Sequence, residues 1–176
     1  LISGLFLMME RPFSVGDIIR VGDTTGEVLS IDLLSVKVRT FENLFVRLPN
    51  ESMIKTQVTT LTKFPIRRAD LKIGIAYKED IERVKELLNN IALKNTLCLD
   101  EPAPLFILLG FGTSSVDVQF SVWAKREHFL TVKNSMYQEI KNTFDQQNIE
   151  IPFPHISLYS GEATKPMPVS ISEITK

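Results

Sequence analysis

The chain has 176 residues, of which 44% are hydrophobic and 23% are charged, and its formal net charge is −1. This composition excludes a disordered chain and a strongly basic surface for a nucleic-acid backbone, and the length suits one or two compact domains. The single cysteine, Cys98, excludes a disulfide within the chain.

The first nine residues, LISGLFLMM, carry no charge and are followed at once by Glu10, Arg11 and Pro12. The run is shorter than the roughly 20 apolar residues that cross a bilayer, and it lacks the basic start and cleavage site of a signal peptide. Composition alone leaves two interpretations open, the end of a transmembrane helix that begins upstream or a short buried helix. Since Pro12 disfavours helical geometry at the residue before it, we expect the helix to end at or before Arg11.

The next segment, Val15 to Thr62, alternates apolar and polar residues in short runs that are separated by turn residues. Such a period of two is typical of half-buried antiparallel strands. Five strands of this kind favour a small β-barrel over an open sheet, because closure removes exposed edges. The strands are expected at residues 17–21, 26–34, 36–40, 44–49 and 56–61, with a turn at Pro49-Asn50 before the last.

A linker is predicted from Thr62 to Ala69, because Pro65 interrupts any strand and Arg67 and Arg68 must be solvated or paired. The arginines have Asp70 and Glu79 as candidate partners.

The remaining chain predicts the element order β-α-β-β-α-β of a ferredoxin-like domain. Strands are expected around residues 71–75, 105–109 and 116–123, with extended chain at 149–159. Asp80 is expected to cap the first helix, and both helices show an apolar stripe with a period of 3.6 residues. These stripes are formed by Ile81, Val84, Leu87, Leu88 and Ile91, and by Phe129, Val132, Met136, Ile140 and Phe144. The segment at 169–174, VSISEI, alternates in the manner of a further strand.

Catalytic chemistry finds little support in the sequence. His128 and His155 are far apart and have no metal-ligand spacing with each other or with Cys98. Surface or capping roles for the histidines and a passive, half-buried thiol are the simpler interpretations. The Gly110–Gly112 segment lies between two strands, where a β-turn fits better than a phosphate cradle. We therefore expect a protein that is not an enzyme, with no catalytic, cofactor-binding or metal-binding residues.

Several motifs, in order, resemble the small-conductance mechanosensitive channel (MscS) family, whose members open under membrane tension. They are RPFSVGDIIRVGDTTGEVLSI at 11–31, VRT at 38–40, LPN at 48–50, PIRRADLKIGIAY at 65–77, GTSSVDVQFSVW at 112–123 and IPFPHISLY at 151–159. The resemblance covers nearly the whole chain.

This resemblance implies an α+β architecture, with a small Sm-like β-barrel followed by a ferredoxin-like α/β domain and a C-terminal strand. Its parts would be the cytoplasmic end of a pore-lining transmembrane helix (1–12), the β domain (13–63), a linker (64–69), the α/β domain (70–152) and the strand with its tail (153–176). Glu10 departs from the family in a place that is usually apolar, and the tail from Glu162 has no family counterpart.

The function implied is that of the cytoplasmic cage of a tension-gated channel, which releases ions and small osmolytes when a cell swells. The partners would be six further copies in a homoheptamer and the lipid bilayer of a bacterial-type plasma membrane, contacted through helices upstream of this chain. Arg11, Pro12 and Phe13 would form the joint between pore helix and ring, and Arg67 and Arg68 would supply charge in the cage or linker. The alternative is a soluble ring-forming module that binds RNA or a small effector, against which the near-neutral charge argues.

Overall fold

The computed structural model of the chain describes residues 9–157. These residues divide into two compact units, one formed by residues 9–67 with 124–129 and the other by residues 68–123 with 130–157. No helix in this described part of the chain is long and apolar enough to cross a membrane. The expected α+β fold class is confirmed, since two separate sheets occur together with helices.

The first unit contains a five-stranded antiparallel sheet with the strand order β4-β3-β2-β1-β5. Its elements are β1 (Ile18–Val21), β2 (Thr24–Ile31), β3 (Ser35–Thr40), β4 (Phe45–Pro49), α1 (Asn50–Lys55) and β5 (Val58–Thr60). Within the described residues, β4 and β5 are the two outer strands of this sheet. Alternating residues of the strands point into one core, formed by Phe13, Ile19, Val28, Val36, Val38 and Met53.

The helix α1 corrects the prediction of a simple turn at Pro49-Asn50. Asn50 is buried, its backbone N–H donates to the carbonyl oxygen of Leu34 at 3.0 Å, and its side-chain amide donates to the carbonyl oxygen of Asp32 at 2.8 Å. These bonds fix the start of a six-residue helix whose one buried apolar side chain is Met53. A helix this short forms no apolar stripe, so periodicity does not detect it.

The second unit contains a three-stranded sheet with the order β6-β8-β7 and two long helices. Its elements are β6 (Ile66–Ile75), α2 (Ile81–Lys94), β7 (Leu105–Phe111), β8 (Val116–Lys125) and α3 (Phe129–Gln146). The 3₁₀ turn between β8 and α3 (Arg126–His128) belongs to the first unit. Asp80 caps α2 as predicted, because its carboxylate accepts the backbone N–H groups of Glu82 and Arg83 at 2.9 and 3.1 Å. The apolar stripes of both helices supply buried residues, and Val116, Val118, Phe120 and Val122 of β8 are buried as well.

Residues 66–69 of the predicted linker at 64–69 are extended and belong to β6, which begins at Ile66. Ala69 is fully buried and continues the inward positions Leu71, Ile73 and Ile75 back toward Pro65. A single alanine between arginines and an aspartate gives too weak an apolar signal to extend the strand from sequence. At the other end of the sheet, Gly110 and Phe111 belong to β7 after a register shift, so the turn is limited to residues 112–115.

The closing strand of the predicted β-α-β-β-α-β order is not found among residues 149–157. Ile149 is buried, and the N–H of Ala76 donates to the carbonyl oxygen of Glu150 at 3.0 Å. Pro152 and Pro154 have no N–H group to continue such a ladder. The C-terminal part of the expected 153–176 strand and tail, from Leu158, lies outside the described residues.

Candidate functional site

The predicted joint lies between the last helical residue, Glu10, and Phe13, whose side chain packs in the core of the first unit. Met9 and Glu10 are helical, and Arg11 leaves the helix with a positive φ of 45°. The helix end therefore agrees with the position expected from Pro12. Phe13 is 1% exposed and packs in the same cluster as Ile19 and Val28, as expected for an anchor in the β-domain core.

The turn after Phe13 is held on both sides by hydrogen bonds. The carboxylate of Asp17 accepts the N–H of Ser14 at 2.8 Å, and the N–H of Gly16 donates to the carbonyl oxygen of Val28 at 2.8 Å. Val28 in turn donates its N–H to the carbonyl oxygen of Asp17 at 2.9 Å. Gly16 has a φ of 91°, which favours glycine at this place. The residues P-F-S-V-G-D thus form a rigid start for β1.

Asn50 is a polar residue that the sequence predicts only as part of a turn and of the LPN motif at 48–50. It is 2% exposed and ties the β2–β3 connection to the start of α1, and its Oδ1 atom has no hydrogen-bond partner among the described residues. Its pairing depends on residues 16 and 18 positions earlier. A sequence pattern carries no signal for such a contact.

The predicted linker arginines have different surroundings. The guanidinium of Arg67 lies 3.8 Å from the ring centroid of Phe129, and burial lowers the pKa of Arg67 from its usual value. Arg68 forms an exposed ion pair with Asp70, with 2.7 Å between Nε and Oδ1, which confirms one of its two expected partners. The boundary between the two units falls between these arginines. The five predicted site residues are therefore divided, with Arg68 alone in the second unit.

Asp70 joins the ion pair to the sheet of the second unit. Its Oδ1 atom accepts a hydrogen bond from the hydroxyl of Ser121 at 2.7 Å. Burial alone would raise the pKa of Asp70, but the hydrogen bonds from Arg68 and Ser121 reverse this and hold the pKa below its ordinary value. Asp70 is thus a charged acceptor that orients Arg68. The other expected partner, Glu79, instead accepts the N–H of Glu150 at 3.0 Å.

The remaining candidates have no arrangement suited to catalysis. Cys98 is half-buried with its Sγ atom 3.8 Å from the Sδ atom of Met136, and burial raises the pKa of its thiol, which disfavours the reactive thiolate. The N–H of His155 donates to the hydroxyl of Ser114 at 2.9 Å. Across residues 9–157, no three His, Cys, Asp or Glu side chains are grouped closely enough to hold a metal ion.

Two family models match successive parts of the chain. The β-domain of mechanosensitive ion channels matches residues 1–63, and the C-terminal domain of the mechanosensitive ion channel MscS matches residues 69–151. The boundary between the two matches lies near the division into compact units described above.

Individual relatives give the same result. An uncharacterized MscS family protein of Archaeoglobus fulgidus is 32% identical over 88% of this chain and 54% of its own length. The small-conductance mechanosensitive channel of Edwardsiella ictaluri is 28% identical over 93% of this chain and 57% of its own length. The chain thus spans about half the length of the curated relatives that it matches.

A solved structure, that of Helicobacter pylori MscS in a closed state, is similar over 92% of this chain and 64% of that chain, with a TM-score of 0.84 and 26% identity. The similarity continues through both compact units. Because two successive domain models, the relatives and this structure all name the same kind of protein, the chain belongs to the MscS family of mechanosensitive ion channels.

Proposed function

We propose that the complete protein is a tension-gated channel of a bacterial-type plasma membrane and that residues 13–152 form the cytoplasmic part of this channel. On hypo-osmotic swelling the channel releases ions and small osmolytes. The observation that carries the proposal is the ordered match of both domains, supported by the similarity to the Helicobacter pylori channel over 92% of the chain. The residues before Pro12 then belong to the end of a pore-lining helix.

We propose that Arg11, Pro12 and Phe13 transmit movement of that helix to the β-domain. Phe13 is fixed in the core, and Gly16 and Asp17 bind the following turn to Val28 of β2. A displacement of the helix end therefore acts on a packed domain instead of being absorbed by a loose loop.

Assembly as a homo-oligomer, with seven copies as the family resemblance implies, completes the proposal. A unit with so small a core exposes large apolar side chains around the β3–β4 connection, among them Phe41, Leu44 and Phe45. Contiguous exposed apolar groups of this kind are typical of interaction surfaces. In the assembly, Arg67 and Arg68 would supply positive charge to the cage or linker.

The test is electrical recording from the full-length protein in liposomes under graded suction, with protein-free liposomes as the control. We expect discrete currents that appear above a threshold tension and disappear on its release. A well-folded, membrane-inserted protein that stays silent up to the rupture of the patch would contradict the proposal. Salt-dependent RNA binding by such a silent protein would favour the ring-forming alternative instead.

A further inference from the structure

Thr62 connects the start of β1 to the end of the neighbouring strand β5 through one hydroxyl group. It follows β5, and its Oγ1 atom donates to the Oδ1 atom of Asp17 at 2.7 Å and accepts the N–H of Ile18 at 3.0 Å. A backbone hydrogen bond joins the same two segments, since the N–H of Leu61 donates to the carbonyl oxygen of Ile18 at 2.8 Å. The start of β1 is thus bound to a segment that lies more than 40 residues further along the chain.

Arg126 adds a third segment of the same unit to this connection. Its guanidinium Nη1 donates to the carbonyl oxygen of Thr62, and its backbone N–H donates to the carbonyl oxygen of Pro65 at 3.0 Å. The other carboxylate oxygen of Asp17 is taken by the N–H of Ser14. Ser14, Asp17, Thr62 and Arg126 form a continuous chain of hydrogen bonds, which we call the latch.

The latch has the chemistry of a strong hydrogen-bonded network. The acceptor at its centre is a half-buried carboxylate, and hydrogen bonds to ionised acceptors are shorter and stronger than neutral ones. The hydrogen bond from Thr62, together with the nearby charges of Lys63 and Arg126, lowers the pKa of Asp17 and keeps it ionised, although burial opposes this. Backbone groups cannot take the place of the Thr62 side chain, because its hydroxyl donates one hydrogen bond to Asp17 and accepts another from Ile18 through the same oxygen.

We propose that Thr62 and Arg126 are positioning residues of the joint between the pore helix and the β-domain. They hold the turn of residues 14–17 against the segment of residues 61–65, so that a pull on Phe13 moves both segments together instead of peeling β1 away from β5. This inference rests on the proposed channel function. It concerns residues that the family motifs around Arg11, Pro12 and Phe13 do not contain.

The test compares four single variants of the full-length channel and the double variant Thr62→Val with Asp17→Asn. Thr62→Val removes the hydroxyl while keeping the side-chain shape, and Thr62→Ser keeps the hydroxyl. Asp17→Asn removes the carboxylate. Asp32→Asn is the matched control. The carboxylate of Asp32 also accepts a hydrogen bond from the Ser30 hydroxyl and forms an ion pair with Lys37, but it lies outside the latch. Hydrogen exchange at residues 14–19 and the tension of half-maximal opening are measured on each variant.

We expect the Ile18 amide to exchange about tenfold faster in Thr62→Val, because its N–H loses the hydroxyl acceptor of Thr62. We also expect a shift in the opening tension beyond the scatter of wild-type patches. Asp17→Asn should have the same two effects. The double variant Thr62→Val with Asp17→Asn should change exchange and opening tension little more than either single variant. Thr62→Ser and Asp32→Asn should behave like wild type.

Faster exchange with unchanged gating would overturn the positioning role and leave the channel function intact. Unchanged exchange would overturn the latch itself. A wild-type channel that never opens would instead refute the proposed function, and the positioning role would fall with it.

Discussion

Among residues 9–157, Phe13 is the one aromatic side chain in the buried cluster of the β-domain, and it follows Glu10, the last helical residue before it, by three positions. Its burial could be predicted from the sequence, because a large apolar residue between Pro12 and a polar turn is stabilised mainly by packing into the adjacent β-domain core. The Asp17–Thr62 bond could not, since both are ordinary turn residues that only the folded sheet brings together. At the residue scale, sequence therefore identified the anchor and missed its support.

Truncation of the anchor should weaken the domain. We expect Phe13→Ala to lower the free energy of unfolding by about 3–5 kcal/mol, because a buried aromatic ring is replaced by a cavity. Phe64→Ala is the matched control in the same unit, since Phe64 is 73% exposed and its removal leaves no cavity. Urea unfolding of both variants measures the difference, and patch recording of the full-length protein shows whether gating changes. Equal stability of Phe13→Ala and wild type would show that the ring is not a structural anchor.

The carboxylate of Asp17 should make stability depend on pH. The hydrogen bond from Thr62 lowers its pKa in the folded state from the ordinary value of 3.8, despite partial burial. The unfolded chain then binds the proton more readily, so the stabilisation is present above pH 3.8 and is lost as the pH falls through the lower folded value.

The free energy of unfolding of wild type, Asp17→Asn and Thr62→Val, compared on both sides of pH 3.8, measures this contribution. We expect the gap between wild type and each variant to shrink in acid. A gap of constant size would mean that Asp17 is not stabilised as an anion.

At the scale of elements, the periodic patterns gave correct positions for α2, α3 and the strands with alternating large apolar residues. They failed where the signal depends on other parts of the fold. The helix α1 is fixed by bonds from Asn50 to the chain near Asp32, the start of β6 depends on the burial of Ala69, and the closing strand expected at 149–159 is interrupted by Pro152 and Pro154. Local patterns do not carry these long-range contacts.

The antiparallel pairing of β2 with β3 gives a prediction at the scale of elements. A Cβ atom on Gly26 would lie 2.3 Å from the carbonyl oxygen of Arg39, which is backbone and is held by the ladder. We expect Gly26→Ala to destabilise the β-domain by about 1–3 kcal/mol or more, because the two strands must separate. Thr25→Ala on the same strand serves as control and should change stability far less. Thermal unfolding measures both, and equal transitions would show that the strands yield without cost.

At the scale of the whole molecule, each unit has a core of its own, and the first is small for an independent domain. We therefore predict that the chain self-associates through the exposed apolar residues around the β3–β4 connection. Light scattering should give a mass several times that of the 20.0 kDa chain. Phe45→Glu should lower this mass, and Phe153→Glu, at a still more exposed position in the other unit, should not. A monomer at high concentration would contradict assembly driven by this part of the protein.

The linker arginines give the last prediction, which concerns the charge of the assembled channel. Arg68 is exposed beside Asp70, whereas Arg67 is stacked on Phe129, so reversal of Arg68 is the gentler change. If these residues face the solution in the cage, Arg68→Glu should enrich cations near the pore, and the joint reversal of Arg67 and Arg68 should do so more strongly. The reversal potential in a potassium chloride gradient should then move toward that of potassium, most clearly at low salt, where screening is weak.

A swap of the ion pair, Arg68→Glu with Asp70→Arg, is the matched control because it keeps the net charge and restores an opposite-charge pair. Its reversal potential should stay near that of wild type, whereas its stability reports any damage from the substitutions themselves. Exposed ion pairs contribute little to stability, and the hydroxyl of Ser121, which loses Asp70 as its acceptor, still accepts a hydrogen bond from the side-chain amide of Gln119. We therefore expect the swapped protein to fold and assemble. An unchanged reversal potential in the reversed channels, with normal assembly, would leave the two arginines with a role in the fold alone: Arg67 packing on Phe129, and Arg68 pairing with Asp70 at the start of the second unit.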